Sequence, residues 1–195
     1  MSSPRQLVLA STSRYRRQLL ERLGLPFACA NPALDETPLA GEAPAERAMR
    51  LATCKAQAVR DAWPDALIIG SDQVAALDGT QLDKPGTHEN AVHQLQLASG
   101  RTVRFDTAVV LLDGASGEVR SRLVPCRVTF RALDAHTIDA YLRREQPYDC
   151  AGSAKAEGLG IALIERIDTA DPTSLIGLPL IALTGMLAEA GVPVL

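Results

Sequence analysis

Ser11-Thr12-Ser13-Arg14-Tyr15-Arg16-Arg17 sets hydroxyls and guanidinium groups side by side just after a short apolar run. If those hydroxyls open a helix, its free backbone N–H groups and its dipole favour an anion there. Arginine forks match phosphate oxygens. Cations at a helix N-terminus are otherwise mildly unfavourable, so an anionic ligand gives the cluster a reason. An N-cap beside a solvated basic face is the plainer alternative. A second constellation is the apolar run Ala66-Leu67-Ile68-Ile69, which leads into Gly70-Ser71-Asp72-Gln73, with Lys84-Pro85 behind it. The run reads as a core strand that ends at the acid. Ligands in open α/β sheets sit just beyond the carboxyl ends of strands, so Asp72 stands at a candidate site mouth. A carboxylate there can act as a general base or hold a metal. Lys84 can meet a phosphate as a point charge, though a surface acid and lysine at a turn would look the same.

Weaker signals come from other segments. Asp35-Glu36-Thr37-Pro38 offers adjacent acids that could share a divalent cation with Asp72, or form an ordinary solvated loop. Lys55 falls among small and apolar residues in Leu51-Ala52-Thr53-Cys54-Lys55-Ala56, where it either snorkels to solvent or reaches a phosphate. Cys150-Ala151-Gly152-Ser153-Ala154-Lys155-Ala156-Glu157-Gly158-Leu159-Gly160 is a loop whose small residues let a ligand approach the backbone, with Lys155 and Glu157 as opposite charges. A flexible connector is the other reading. The apolar loop from Asp171 to Leu180 could wall a pocket or merely pack. Several chemistries drop out. Gly158-Leu159-Gly160 lacks a third glycine at Leu163, so it is no dinucleotide fingerprint. There is no Walker A pattern and no Gly-x-Ser-x-Gly elbow. Asp72-Gln73-Val74 lacks the paired acid of an aspartyl-phosphate phosphatase.

The elements that must position these residues follow from periodicity and punctuation. Strands are predicted over residues 6–10 and 26–30, with a helix between them that is capped by Ser11-Thr12-Ser13 and stopped by Gly24. A long helix covers 42–61, with Pro44 near its start. After the strand at 66–69, a hairpin at 74–77 and 81–83 turns at Asp78-Gly79. Helices follow over 89–98 and 133–144, the latter with Asp134 as its cap. Long strands occupy 102–112 and 119–130, a further strand 161–167, and a last helix 178–190. Helices alternate with strands, but the hairpins break a pure βαβ order. The expected fold is mixed α/β, an elongated twisted sheet flanked by helices, with two lobes around a central cleft.

The 195 residues suggest one domain spanning 1–195, and 47% apolar residues suffice for a core. The net charge of −3 argues against coating nucleic acid, which calls for a basic face. It leaves room for a small phosphorylated ligand. No apolar run approaches the roughly 18 residues of a membrane span, and the short N-terminal apolar run merges into the first strand. A soluble, cytosolic protein is expected. Cys29, Cys54, Cys126 and Cys150 are widely spaced, so they read as reduced core residues rather than zinc ligands. His88, His93 and His136 share no spacing and read as exposed.

Taken in order, these segments resemble the Maf family of nucleotide pyrophosphatases across nearly the whole chain. The most specific parts are Ala10-Ser11-Thr12-Ser13 with Arg16-Arg17, Gly70-Ser71-Asp72-Gln73 with Lys84-Pro85, and Ile176-Gly177-Leu178-Pro179. The resemblance implies a fold similar to that of inosine triphosphatases and a cytoplasmic enzyme dependent on a divalent metal, Mg²⁺ or Mn²⁺. It would cleave a nucleoside triphosphate to the monophosphate and pyrophosphate and so clear modified nucleotides. It also implies a homodimer. By position, Asp72 matches the family's catalytic acid, the proton acceptor for water. Arg16, Lys55 and Lys84 match triphosphate-binding cations, Ser11 the hydroxyl of the phosphate turn, and Glu36 an acid that supports either the metal, together with Asp72, or the catalysis. Arg14 departs from the family, which usually has proline there, so no role is carried to it.

Within the family the chain looks more like the 7-methyl-GTP branch than the dTTP/UTP branch, which typically has Asp-Thr where this chain has Asp72-Gln73. Tyr15, just before the arginine pair, and Glu157, in the late Gly-Ser loop, are the other branch features. They suit the base physically. N7-methylguanine is cationic, and a cation over an aromatic face gains roughly 0.5–2 kcal/mol. A carboxylate can accept from guanine's Watson–Crick donors, while Gln73 completes the base contacts or supports Asp72. The competing readings are a dTTP/UTP pyrophosphatase of the same family and a non-catalytic nucleotide-binding regulator of septum formation.

Overall fold

The computed structural model describes residues 5–195. The apolar run forms β1 (Leu7–Ala10), buried throughout, and Ser13 caps α1 (Arg14–Glu21) by accepting from the Arg16 N–H. Leu19 and Leu20 are its buried side. β2 (Phe27–Ala30) precedes α2 (Pro44–Ala58), which has proline in its first turn. Then come β3 (Leu67–Leu77) and, across the Asp78-Gly79 turn, β4 (Thr80–Leu82). α3 (His88–Ala98) is capped by Thr87, and α4 (Ala135–Glu145) by Asp134 as expected. The long strands β5 (Thr102–Asp113) and β6 (Val119–Phe130) lie between those helices, and β7 (Ile164–Thr169) and α5 (Leu180–Glu189) complete the order.

The seven strands form one mixed sheet in the order β2-β1-β3-β5-β6-β7, with β4 paired to β3. β1 is parallel to β2 and β3, and the other pairings are antiparallel. Side chains alternate between the two faces. On one face Val8, Ile68 and Val110 pack under Ala48, Ala52 and Ala56 of α2. On the other, Leu9, Ile69 and Leu111 pack under α1 and α5. Farther along that second face, Leu77, Val103 and Phe105 pack under α3 and α4. No helix among the described residues is long and apolar enough to cross a membrane.

The sheet also corrects the reading of its central strand. The run 66–69 leading to Asp72 and the hairpin strand 74–77 are expected as two strands, but β3 is one strand of 11 residues. Gly70 does not end it. A Cβ at Gly70 would lie 2.1 Å from the Ala52 carbonyl oxygen, so the glycine is what lets α2 lie against the strand. β3 pairs with β1 only over residues 67–69 and with β4 only over 75–77. Between them, residues 70–74 are held by β5 on one side alone. Other bounds move too. The strand expected at 161–167 starts at Ile164, because Glu145 accepts the Leu159 N–H at 2.7 Å and holds residues 159–163 in a 3-10 turn. The long helix stops at Ala58, with a 3-10 turn (Arg60–Ala62) in place of its last residues. Only Cys126 of the four free cysteines is buried; Cys54 and Cys150 are half-buried and Cys29 is exposed. His88 is half-buried against the Tyr148 hydroxyl at 3.0 Å rather than exposed.

Candidate active site

A cleft of about 720 Å³ opens at the gap in β3's pairing. It is lined by Ser11 and the start of α1, which follow the carboxyl end of β1, and by residues 31–34, which follow β2. The cleft thus opens at the carboxyl ends of β1 and β2, where open sheets commonly take ligands, and β3 runs on past them as the floor. Because the floor is a stretch of strand paired on one side only, side chains from both faces reach one cavity. Ser11, Tyr15, Arg16, Glu36, Lys55, Asp72, Gln73, Lys84 and Glu157 all line it, whereas Arg17, Asp35 and Lys155 do not.

Asp72 is buried on the α2 face. Its Oδ1 accepts from Lys55 Nζ at 2.6 Å and lies 3.9 Å from an Arg16 guanidinium nitrogen. No described residue hydrogen-bonds its Oδ2. Local structure explains the pair. Ala52 and Ala56 touch the bare backbone of Gly70, so Lys55, next to Ala56, projects past the strand onto Asp72, two residues along the same face. Lys55 is buried and does not snorkel away. Its Nζ also sits 2.8 Å from Glu36 Oε1. Burial pushes the Glu36 carboxyl up, but the Lys55 hydrogen bond and the charges of Lys55, Arg16 and Lys84 outweigh it and hold the group below the usual range. Lys84 itself is exposed at the cleft wall.

The adjacent acids separate. Asp35 is exposed, with its Oδ1 accepting from the Thr37 N–H and hydroxyl at 2.9 and 2.6 Å, and it does not line the cleft. A carboxylate two residues before a free N–H is readily captured by its own turn. Glu36 and Asp72 therefore meet at Lys55 without a third acid. No cluster of three or more metal-ligating side chains forms among the described residues.

Ser11 is buried, and its hydroxyl oxygen accepts from the Ser13 N–H at 3.1 Å, which leaves its proton free to donate. Arg16 Nε donates to the Gly177 carbonyl at 2.8 Å, and the single Ser71 Oγ proton is shared between that oxygen at 3.0 Å and the Ala108 carbonyl at 2.7 Å. Gly177 has φ +117°, a region that favours glycine and turns this carbonyl toward β3. Gln73 serves the same loop. Its Nε2 donates to the carbonyls of Ser174 and Leu175 at 2.8 and 3.1 Å and to Thr107 Oγ1 at 3.0 Å. Two carbonyl acceptors fix the amide orientation and leave only Oε1, an acceptor, unspent. Gln73 thus anchors the apolar loop, and it makes no hydrogen bond to Asp72.

At the far wall, Tyr15 meets Asp149 and Cys150. Burial pushes the Tyr15 hydroxyl up to about 12, against the pull of its Arg14 hydrogen bond. Burial likewise pushes the Cys150 thiol up to about 11. Glu157 is exposed on this wall. Lys155, read as its opposite charge in the loop, is instead tied to Glu145 at 2.8 Å.

Two residues of the wall went unread in the sequence. Arg47 is buried and joins three segments: it donates to Gln81 Oε1, to Asp83 Oδ1 at 3.1 Å and to the Glu36 carbonyl at 3.1 Å. Its spacing of four and eight from Leu51 and Lys55 puts all three on one face of α2, a signal the sequence did carry. Asp149 lies in a turn and gave no such signal.

A family model described as Maf-like protein matches residues 6–190. The chain is 59% identical over 187 residues to a 7-methyl-GTP pyrophosphatase of Cupriavidus metallidurans, an alignment covering 96% of this chain and 94% of that one. It is 58% identical to a 7-methyl-GTP pyrophosphatase of Cupriavidus pinatubonensis, with the same coverage of both chains. For the protein of that name from Burkholderia lata the identity is 57%, covering 97% and 92%. Among solved structures, the Staphylococcus aureus Ham1 protein aligns with a TM-score of 0.46 and 16% identity, over 65% of this chain and 72% of that one.

Proposed function

The chain belongs to the Maf family, and from that premise we propose that it hydrolyses 7-methyl-GTP to 7-methyl-GMP and pyrophosphate, clearing a modified nucleotide in the cytoplasm. One observation carries the reading: a buried carboxylate with one oxygen uncommitted, faced by Lys55 and Arg16, on the floor of a cleft of nucleotide size. The names of relatives at 57–59% identity support the choice of base.

In this mechanism Asp72 Oδ2 accepts a proton from the water that attacks the α-phosphorus. The bond from that phosphorus to the α–β bridging oxygen breaks, and pyrophosphate leaves. Arg16, Lys55 and Lys84 stabilise the leaving group's charge, which is mainly an electrostatic task. An ammonium has three donors. Lys55 spends two on Asp72 and Glu36, and the third is available to a phosphate oxygen. Ser11's hydroxyl and the N–H groups opening α1 bind further phosphate oxygens. Glu36 and Asp72 fit a divalent cation, Mg²⁺ or Mn²⁺, because such ions are commonly held by one or two carboxylates plus substrate phosphates. When bound it would neutralise triphosphate charge and orient the α-phosphoryl group. Tyr15 offers its face to the cationic ring, and Glu157 and Gln73 Oε1 offer acceptors to guanine's donor edge.

The test is pyrophosphate release from 7-methyl-GTP, GTP, dTTP and UTP with Mg²⁺, by the wild type and Asp72→Asn. We expect 7-methyl-GTP to lead, and the variant to bind nucleotide without turnover. Near-normal turnover by the variant removes Asp72 as base. Hydrolysis of dTTP far above 7-methyl-GTP overturns the substrate, and binding without release in every case favours a non-catalytic regulator.

A further inference from the structure

Arg14 has a place that its lack of a family counterpart does not suggest. Its guanidinium carbon lies 4.7 Å from the centroid of the Tyr15 ring. One terminal nitrogen donates to the Tyr15 hydroxyl at 2.6 Å and sits 3.4 Å from Asp149 Oδ2. The Tyr15 hydroxyl in turn lies 3.3 Å from each Asp149 oxygen. All three residues line the cleft. An aromatic face beside a carboxylate is a receptor for a planar, delocalised cation. In the free chain a planar, delocalised cation of its own already fills it. That occupant is loosely held. The Arg14 and Asp149 side chains are 66% and 52% accessible, and exposed ion pairs are weak. Arg14 is also the first residue of α1, where the helix dipole opposes a positive charge.

We propose that Tyr15 and Asp149 together form the subsite for the cationic N7-methylated ring, and that Arg14 is its resident competitor, displaced when the base binds. The inference rests on the base-binding reading of Tyr15. It adds Asp149 as the base's counter-charge and makes Arg14 a determinant of both affinity and base preference. Any base must displace Arg14, but only a cationic one then meets it as a like charge. Arg14 therefore weakens nucleotide binding in general and discrimination for the methylated base in particular.

The experiment is titration calorimetry of 7-methyl-GMP and GMP on the full chain, Arg14→Gln and Asp149→Asn, beside pyrophosphate release. Arg14→Gln should tighten 7-methyl-GMP by roughly two- to fivefold and GMP by less. Asp149→Asn should weaken 7-methyl-GMP by a similar factor and leave GMP unchanged. Both positions are exposed or at a turn, and an unchanged Tm confirms that the fold is kept. Weaker binding of both nucleotides by Arg14→Gln would make Arg14 a clamp, and unchanged binding would remove the competition; either overturns the proposal. So does an unaltered 7-methyl-GMP to GMP ratio in Asp149→Asn, or failure of the wild type to bind either monophosphate. Wild type that binds 7-methyl-GMP but releases no pyrophosphate from 7-methyl-GTP sinks the catalytic reading and leaves the subsite standing.

Discussion

Gly70→Ala tests whether the close approach of α2 to β3 is what builds the site. The added Cβ would lie 2.1 Å from the Ala52 carbonyl oxygen, 3.0 Å from the Ala56 nitrogen and 3.1 Å from the Ala56 Cβ. Ordinary contact begins near 3.4 Å, so the nearest atom must recede by about 1.3 Å, the difference 3.4 − 2.1. That atom is backbone, so the helix moves rather than a side chain. Forcing an extra group into a packed core typically costs about 1–3 kcal/mol. At roughly 2–4 °C per kcal/mol for a chain of this size, Tm should fall by about 2–12 °C. Lys55 travels with α2, and its 2.6 Å bond to Asp72 must stretch or be re-formed from a strained stem. A misplacement near 1 Å can cost about a hundredfold in rate, so pyrophosphate release measured well below the Tm should fall by about 10–100-fold. Gly185→Ala is the control: it lies in α5 with nothing within 4 Å of its Cβ position. There the helix preference for alanine gives about 1 kcal/mol of opposite sign. If Gly70→Ala melts with the wild type and turns over normally, the account of how Lys55 reaches Asp72 is wrong.

Lys55→Met removes the donor that Asp72 and Glu36 share. Stripping one partner from a buried pair costs about 3–5 kcal/mol. Arg16 at 3.9 Å compensates in part, so urea unfolding at neutral pH should show a loss near the lower end, with kcat/KM down at least about a hundredfold; a stability loss under about 1 kcal/mol contradicts the buried-pair reading. Glu36→Gln gives a pH signature. Glu36 titrates below its ordinary 4.5 because Lys55, Arg16 and Lys84 outweigh its burial. A folded-state pKa that is depressed contributes stability present above the unfolded value and lost as pH falls through the folded one. The wild type should therefore melt above Glu36→Gln at about pH 7, with the gap closing as pH falls below the ordinary 4.5 and through the lowered folded-state value; a gap of equal size at both ends would show that the charge is not what Lys55 holds.

Part of the cleft lining was legible because it sits in segments whose local pattern sets their position. A hydroxyl-rich turn after an apolar run must cap a helix, and that alone carries Ser11 and Arg16 to the end of β1. The continuity of β3 was illegible for a physical reason. Glycine in a strand reads as punctuation, but at Gly70 the missing Cβ answers a demand made by the backbone of Ala52, 18 positions earlier in the chain. The same non-locality hid the partners of Arg47, which lie on the Glu36 loop and beyond β3, and it hid Asp149 beside Tyr15. Asp35 and Glu36 mark the opposite limit: neighbours of like chemistry, of which one is captured by Thr37 and only the other is left to face Lys55.

The gap in β3 joins these cases. Had β3 ended at Asp72, the acid would hang from a turn, and turns move more readily than strands. Had β1 or β4 run on to meet across residues 70–74, backbone pairing would have closed the cleft. A strand paired on one side only keeps Asp72 rigid through β5 while leaving its open edge to the ligand. The odd and even residues of that stretch divide the work. Gly70 and Asp72 face α2 and its lysine, while Ser71 and Gln73 face the other way and bind the carbonyls of the loop from Ser174 to Gly177. Four consecutive residues thus tie a helix on one face and a loop on the other to the floor of one cleft.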